Sequence, residues 1–99
     1  MRLSSNAITT IREAAKHHFG SQAKVWLFGS RVDDSKRGGD IDLYVEVDTP
    51  IKDRVLRTCR MDAEIQTALG EQKIDILVFS PERQRLRIHE IAKQTGVLL

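Results

Sequence analysis

The 99-residue chain is poor in the features that mark secreted, fibrous or membrane proteins: it has one cysteine, two prolines, one tryptophan, one tyrosine and three phenylalanines. A lone cysteine excludes an internal disulfide, and the place of Cys59 in a helical apolar pattern predicts a small buried core residue rather than a nucleophile. No apolar run is longer than Val25 to Phe28, far short of the roughly twenty residues that cross a bilayer, and no leader pattern opens the chain. A cytoplasmic protein is expected. Charge of one sign is lacking too: sixteen Lys and Arg against fourteen Asp and Glu leave +2, too balanced for a protein that coats nucleic acid or binds a membrane surface. What is present is an ordinary globular composition, 40% apolar with six glycines, at a length that predicts one domain over residues 1–99 with no room for a second, substrate-binding one.

The apolar periodicity alternates between helix and strand. Ser5 to Phe19 puts Ile8, Ile11, Ala15 and Phe19 on one helical face, with serines able to cap its start and Gly20 to stop it. Ala23 to Phe28 is almost wholly apolar and breaks at Gly29, as an interior strand would. Asp33 to Gly39 is polar and glycine-rich, hence a loop, and Asp40 to Val47 then alternates as a half-buried strand. A second helix is expected from Pro50 to Gly70 on a stripe of Ile51, Val55, Cys59 and Ala63. Lys73 to Phe79 reads as a third strand. Ser80-Pro81-Glu82 supplies a cap, a first-turn proline and a first-turn acid for a helix to about Gln94, ended by Gly96. The order predicts a small α/β (α+β) domain: a mixed three-stranded sheet, with Val97 to Leu99 able to add a short fourth edge strand and helices on one face.

Chemistry concentrates at two points. Gly29 and Ser30 end the first strand, where a glycine without Cβ lets backbone N–H groups approach phosphate oxygens, and a helical turn over Ser30 to Val32 would add its positive end. After nine intervening residues, Asp40 and Asp42 lie two apart on a strand, so both face one side of the sheet, opposite Ile41, Leu43 and Val45. Aspartate is a poor strand former, so two in a β-favouring run ask for a reason, and sharing a hard cation such as magnesium is one. Asp75 interrupts Ile74, Ile76, Leu77 and Val78; if its strand lies beside the second, it reaches the same face, where it would complete the metal pair and help deprotonate an attacking hydroxyl.

Gly29-Ser30, nine residues, Asp40-Ile41-Asp42-Leu43, and then Asp75 on the next strand resemble the polymerase-β-type nucleotidyltransferase superfamily, and most of all its minimal nucleotidyltransferase group. The resemblance spans nearly the whole chain. It implies magnesium-dependent transfer of a nucleoside monophosphate, usually AMP from ATP, to a hydroxyl with release of pyrophosphate. It assigns triphosphate binding to Gly29 and Ser30, both metal ions to Asp40 and Asp42, and the acceptor side to Asp75; Arg31 matches the common Gly-Ser-Arg form. Minimal members resemble antitoxins that bind an all-helical HEPN toxin ribonuclease and adenylylate one of its tyrosines, so a hetero-oligomer with such a partner is implied. The rival is a binding module that silences its HEPN partner by contact alone.

Other residues carry weaker signals. Lys36 and Arg37 lie in the loop between the glycine turn and the carboxylates, where they could touch the triphosphate. Arg54, Arg57, Arg60, Arg83, Arg85 and Arg87 are expected to be solvated surface groups rather than a nucleic-acid face. His17 and His18 sit in the last turn of the first helix, where the helix dipole favours positive charge, and no cluster has zinc spacing. Tyr44 shares a face with the paired aspartates, and Leu77 and Phe79 with Asp75, an apolar surface open to a base or a partner unless a loop or terminus covers it. A receiver domain would need five strands, and a calcium loop needs oxygen donors and a glycine turn that the stretch after Asp42 does not offer.

Overall fold

The computed structural model describes residues 3–29 and 40–99. Along the chain run α1 (Ser5–Phe19), β1 (Lys24–Phe28), β2 (Ile41–Glu46), α2 (Arg54–Leu69), β3 (Ile74–Phe79), α3 (Arg87–Thr95) and β4 (Val97–Leu98). The mixed sheet has the order β3-β2-β1-β4, with β1 antiparallel to both β2 and β4 and with β2 parallel to β3. The three expected strands and the short fourth are therefore present. Gly96 makes that fourth strand possible, because a Cβ there would run into the carbonyls of Ala92 and Leu27.

α1 forms as its pattern predicts: the Ser4 side chain accepts from the Ala7 amide at 3.1 Å, and Ile11, Ala14, Ala15 and Phe19 are buried. They pack with Met61 and Ile65 of α2 on the sheet face made by Val25, Leu27, Ile41, Leu43, Val45 and Val78. Burying one such side chain is worth about 1.5–3 kcal/mol, so this face carries most of the core.

Three expectations are corrected. α2 turns a different stripe inward: Met61 and Ile65 are buried, whereas Val55 is 68% exposed and Cys59 is also exposed. Two apolar rows compete on this helix, and the row with the larger side chains displaces more water per turn. The third helix starts at Arg87, not at Ser80, because Ser80 and Glu82 are engaged elsewhere. The buried Ser80 hydroxyl donates to Glu82, and Glu82 accepts the Ile51 amide at 3.2 Å, tying this turn to the segment before α2. Finally, α3 lies on the sheet face opposite α1 and α2, where Ala92 packs with Trp26 and Tyr44 and with the flanking Phe28, Leu77 and Phe79. The chain's own C-terminal helix thus covers the apolar surface around Tyr44.

The polar surface is more engaged than expected. His17 Nδ1 and His18 Nε2 each lie 3.0 Å from a Glu64 oxygen, so both rings reach across to α2. Arg57 donates to the carbonyls of Lys52 and His18, Arg83 to that of Val78, and Arg85 pairs with Glu46 at 2.8 Å while lying 3.9 Å above the Phe79 ring.

Candidate active site

Pleating and register build the site. Asp42 lies opposite Phe28 on β1 and opposite Asp75 on β3. Asp40 precedes β2 by one residue and shares the parity of Asp42, so the three carboxylates gather at the end of the sheet where β2 and β3 begin. On that same face Tyr44 is buried beneath α3, but Asp42 is half-buried and Asp75 is exposed. Among the described residues, α3 therefore closes one end of the face and leaves the carboxylate end open.

Gly29 faces Asp42 directly. Its φ is +77°, in the left-handed region that favours glycine, and a Cβ there would fall on the Asp42 carboxylate, whose Cγ would be 3.1 Å away. The carboxylate thus packs on the backbone of the turn that ends β1. Ser30 and Arg31, and with them Lys36 and Arg37, lie outside the described residues.

The electrostatics are strained. Burial pushes the Asp42 carboxyl above the usual carboxylate range, the charges of Asp75 and Asp40 push it further, and a hydrogen bond with Asp75 adds to this; Lys73 opposes them. Lys73 is a residue that sequence reasoning did not single out. Its Nζ lies 3.4 Å from Asp40 Oδ2, and the signal for it was its position two before Asp75, hence on the same strand face. The pair is exposed, 74% and 42%, and holds little energy of its own.

Among the described residues no group of three His, Cys, Asp or Glu side chains is placed to hold a metal ion by itself. The donor set nevertheless suits one kind of ion. Three carboxylates crowded until one resists ionisation are relieved by a hard dication, and an open cluster of few carboxylates is what magnesium accepts, with water and phosphate completing its shell. A cluster of this kind next to a glycine turn can bind a metal-bound polyphosphate and take a proton.

The polymerase β nucleotidyltransferase family model matches residues 9–99. The chain belongs to that family. The matched span includes the Gly29 turn and the three aspartates. A search of curated proteins finds no match to the chain. Nucleotidyl transfer is thus the chemistry of the family, and no helix among the described residues is long and apolar enough to cross a membrane.

Proposed function

We propose that this chain is a minimal nucleotidyltransferase that transfers AMP from ATP to a hydroxyl of a partner protein, a tyrosine of a HEPN toxin, and acts as its antitoxin. The observation that carries the reading is the register match of Asp42 with Asp75 beside a glycine whose missing Cβ is the space that Asp42 occupies. In this reading Asp40 and Asp42 would hold magnesium, which would supply charge neutralisation at the triphosphate and favour the ionised acceptor oxygen. Asp75, the most exposed of the three, takes the acceptor's proton. Gly29 and Ser30 hold the triphosphate through backbone N–H groups, and Arg31 and Lys73 meet its negative charge. The acceptor oxygen forms a bond to the α-phosphorus as the bond to the bridging oxygen breaks, and pyrophosphate leaves with the electron pair.

The test is transfer of label from α-³²P ATP to a purified HEPN partner, with Asp42→Asn as the control whose carboxamide keeps the side-chain shape. Label from the intact chain and none from the variant is expected. If neither labels the partner while both still neutralise it, contact alone is the mechanism and the enzyme reading fails.

A further inference from the structure

β3 is an edge strand, and its exposed side is organised. Ile41 donates to the Lys73 carbonyl and Val47 to the Phe79 carbonyl, both at 3.1 Å, so the odd residues of β3 face β2. The amides and carbonyls of Ile74, Ile76 and Val78 therefore point away from the sheet. Arg83 donates to the Val78 carbonyl and closes that end, which, among the described residues, leaves the stretch around Asp75 as the open part of the edge. Beside it runs a groove of about 280 Å³ between α2 and β3, lined by Val55, Cys59, Ile76, Leu77 and the arginines Arg54 and Arg83. Its α2 wall is the apolar row that the core does not use, with Val55 68% exposed.

We propose that the acceptor of the transfer reaction binds as an extended polypeptide segment that adds antiparallel to the open edge of β3. This rests on the transferase reading above. The residue opposite Asp75 in such a pairing has its Cβ about 4.5–5.5 Å from that of Asp75 and projects from the same sheet face. Its side chain thus projects past the Asp75 carboxylate on the sheet face that Asp42 shares, where it can lean toward the group that accepts its proton. The residues on either side of it point to the opposite face, toward the row of Val55 and Cys59, so they are apolar. Arg54 and Arg83 select a carboxylate near the end of the segment. The recognised chemistry is an apolar-hydroxyl-apolar strand with an acidic flank. In the transfer, the hydroxyl oxygen bonds to the α-phosphorus of ATP, pyrophosphate departs, and the proton passes to Asp75 and then to solvent.

The test uses the full chain, ATP with magnesium, and a short peptide alternating valine and threonine around a central tyrosine with a glutamate at each end. A second peptide is N-methylated on the backbone amides that would face β3, and glycerol serves as a small acceptor that needs no strand. Expected are NMR shifts of the Ile74 and Ile76 amides on adding the first peptide, and labelling at least about tenfold weaker for the methylated one. Val55→Glu should weaken peptide labelling by a similar factor without altering transfer to glycerol. Ile76→Pro, which removes an outward amide and spares the ladder to β2, should do the same. Equal labelling of both peptides, or Val55→Glu without effect, overturns the proposal while transfer to glycerol keeps the enzyme reading. Amide shifts without transfer to either acceptor leave the docking edge standing and remove the enzyme. If sedimentation shows a dimer that Val55→Glu dissociates and no peptide shifts the edge, a second copy occupies it and the proposal falls.

Discussion

Gly29 and Asp42 fit one another at the level of single atoms. Gly29→Ala combines a left-handed φ with a Cβ placed on the carboxylate, so it should lower stability by about 1–3 kcal/mol and abolish transfer. Denaturant unfolding measures the first effect and labelling the second. Asp75→Asn should separate stability from activity. Asp42 is raised by burial and by its acidic neighbours, so the folded state favours its protonated form; that contribution is present at low pH and lost as pH rises through the folded value. Removing the charge of Asp75 relieves the neutral-pH strain. The variant should gain a few tenths to about 1 kcal/mol in chemical unfolding at pH 7 while losing transfer. By the same argument magnesium should raise the melting temperature of the intact chain and do so less in Asp42→Asn.

Elements differ in how much of their placement a linear pattern discloses. α1 was legible because one row of apolar residues and a serine cap agreed, and the strands were legible because short apolar or alternating runs were set off by glycine and polar breaks. α2 carries two apolar rows, and only packing against the sheet decides between them. Met61→Ala should therefore cost about 2–4 kcal/mol, whereas Cys59→Ser should change stability by under about 0.5 kcal/mol, which thermal melts will show. The start of α3 was not legible because Ser80 and Glu82 form a capping pattern whose groups bond to each other and, through Glu82, to Ile51 instead. Its actual first turn is held by His89, whose Nδ1 accepts the Leu86 amide at 2.9 Å. That bond puts the proton on Nε2, which is buried and has no partner among the described residues. Burial, then the charges of Arg83 and Arg85, lower the affinity of His89 for a second proton.

Across the molecule, the two ends of the sheet have opposite electrostatics. One end crowds carboxylates. At the other, burial alone would raise Glu46, but hydrogen bonds from Arg85, Lys93 and Tyr44 override it and hold its carboxyl at about 2. The Tyr44 hydroxyl, buried and donating to Glu46 at 2.9 Å, is pushed up to about 12. Glu46 is lowered from 4.5, so its contribution is complete above that value and is lost as pH falls toward 2; His89, lowered from 6.5, also loses its contribution on acidification. Acid unfolding should begin below pH 6.5 and steepen below 4.5. Glu46→Gln should flatten the lower part, removing on the order of 2 kcal/mol at pH 7 once solvent screening is allowed for. None of this network was legible in the sequence, because Glu46, Arg85 and Lys93 are brought together only when α3 crosses to the second face. The three aspartates and Gly29 were legible because parity along one strand and a single neighbouring strand suffice to gather them.

The two acids at the heart of the site belong to different folding events. Asp42 is set against Gly29 by the hairpin of β1 and β2, a local structure, whereas Asp75 reaches it only after α2 has carried the chain back to lay β3 in parallel register. An intermediate that kept the hairpin would hold half a site and react with nothing. Under the proposed function, turnover would then count only completed molecules, because a nascent or damaged chain would transfer no nucleotide before its last strands were in place.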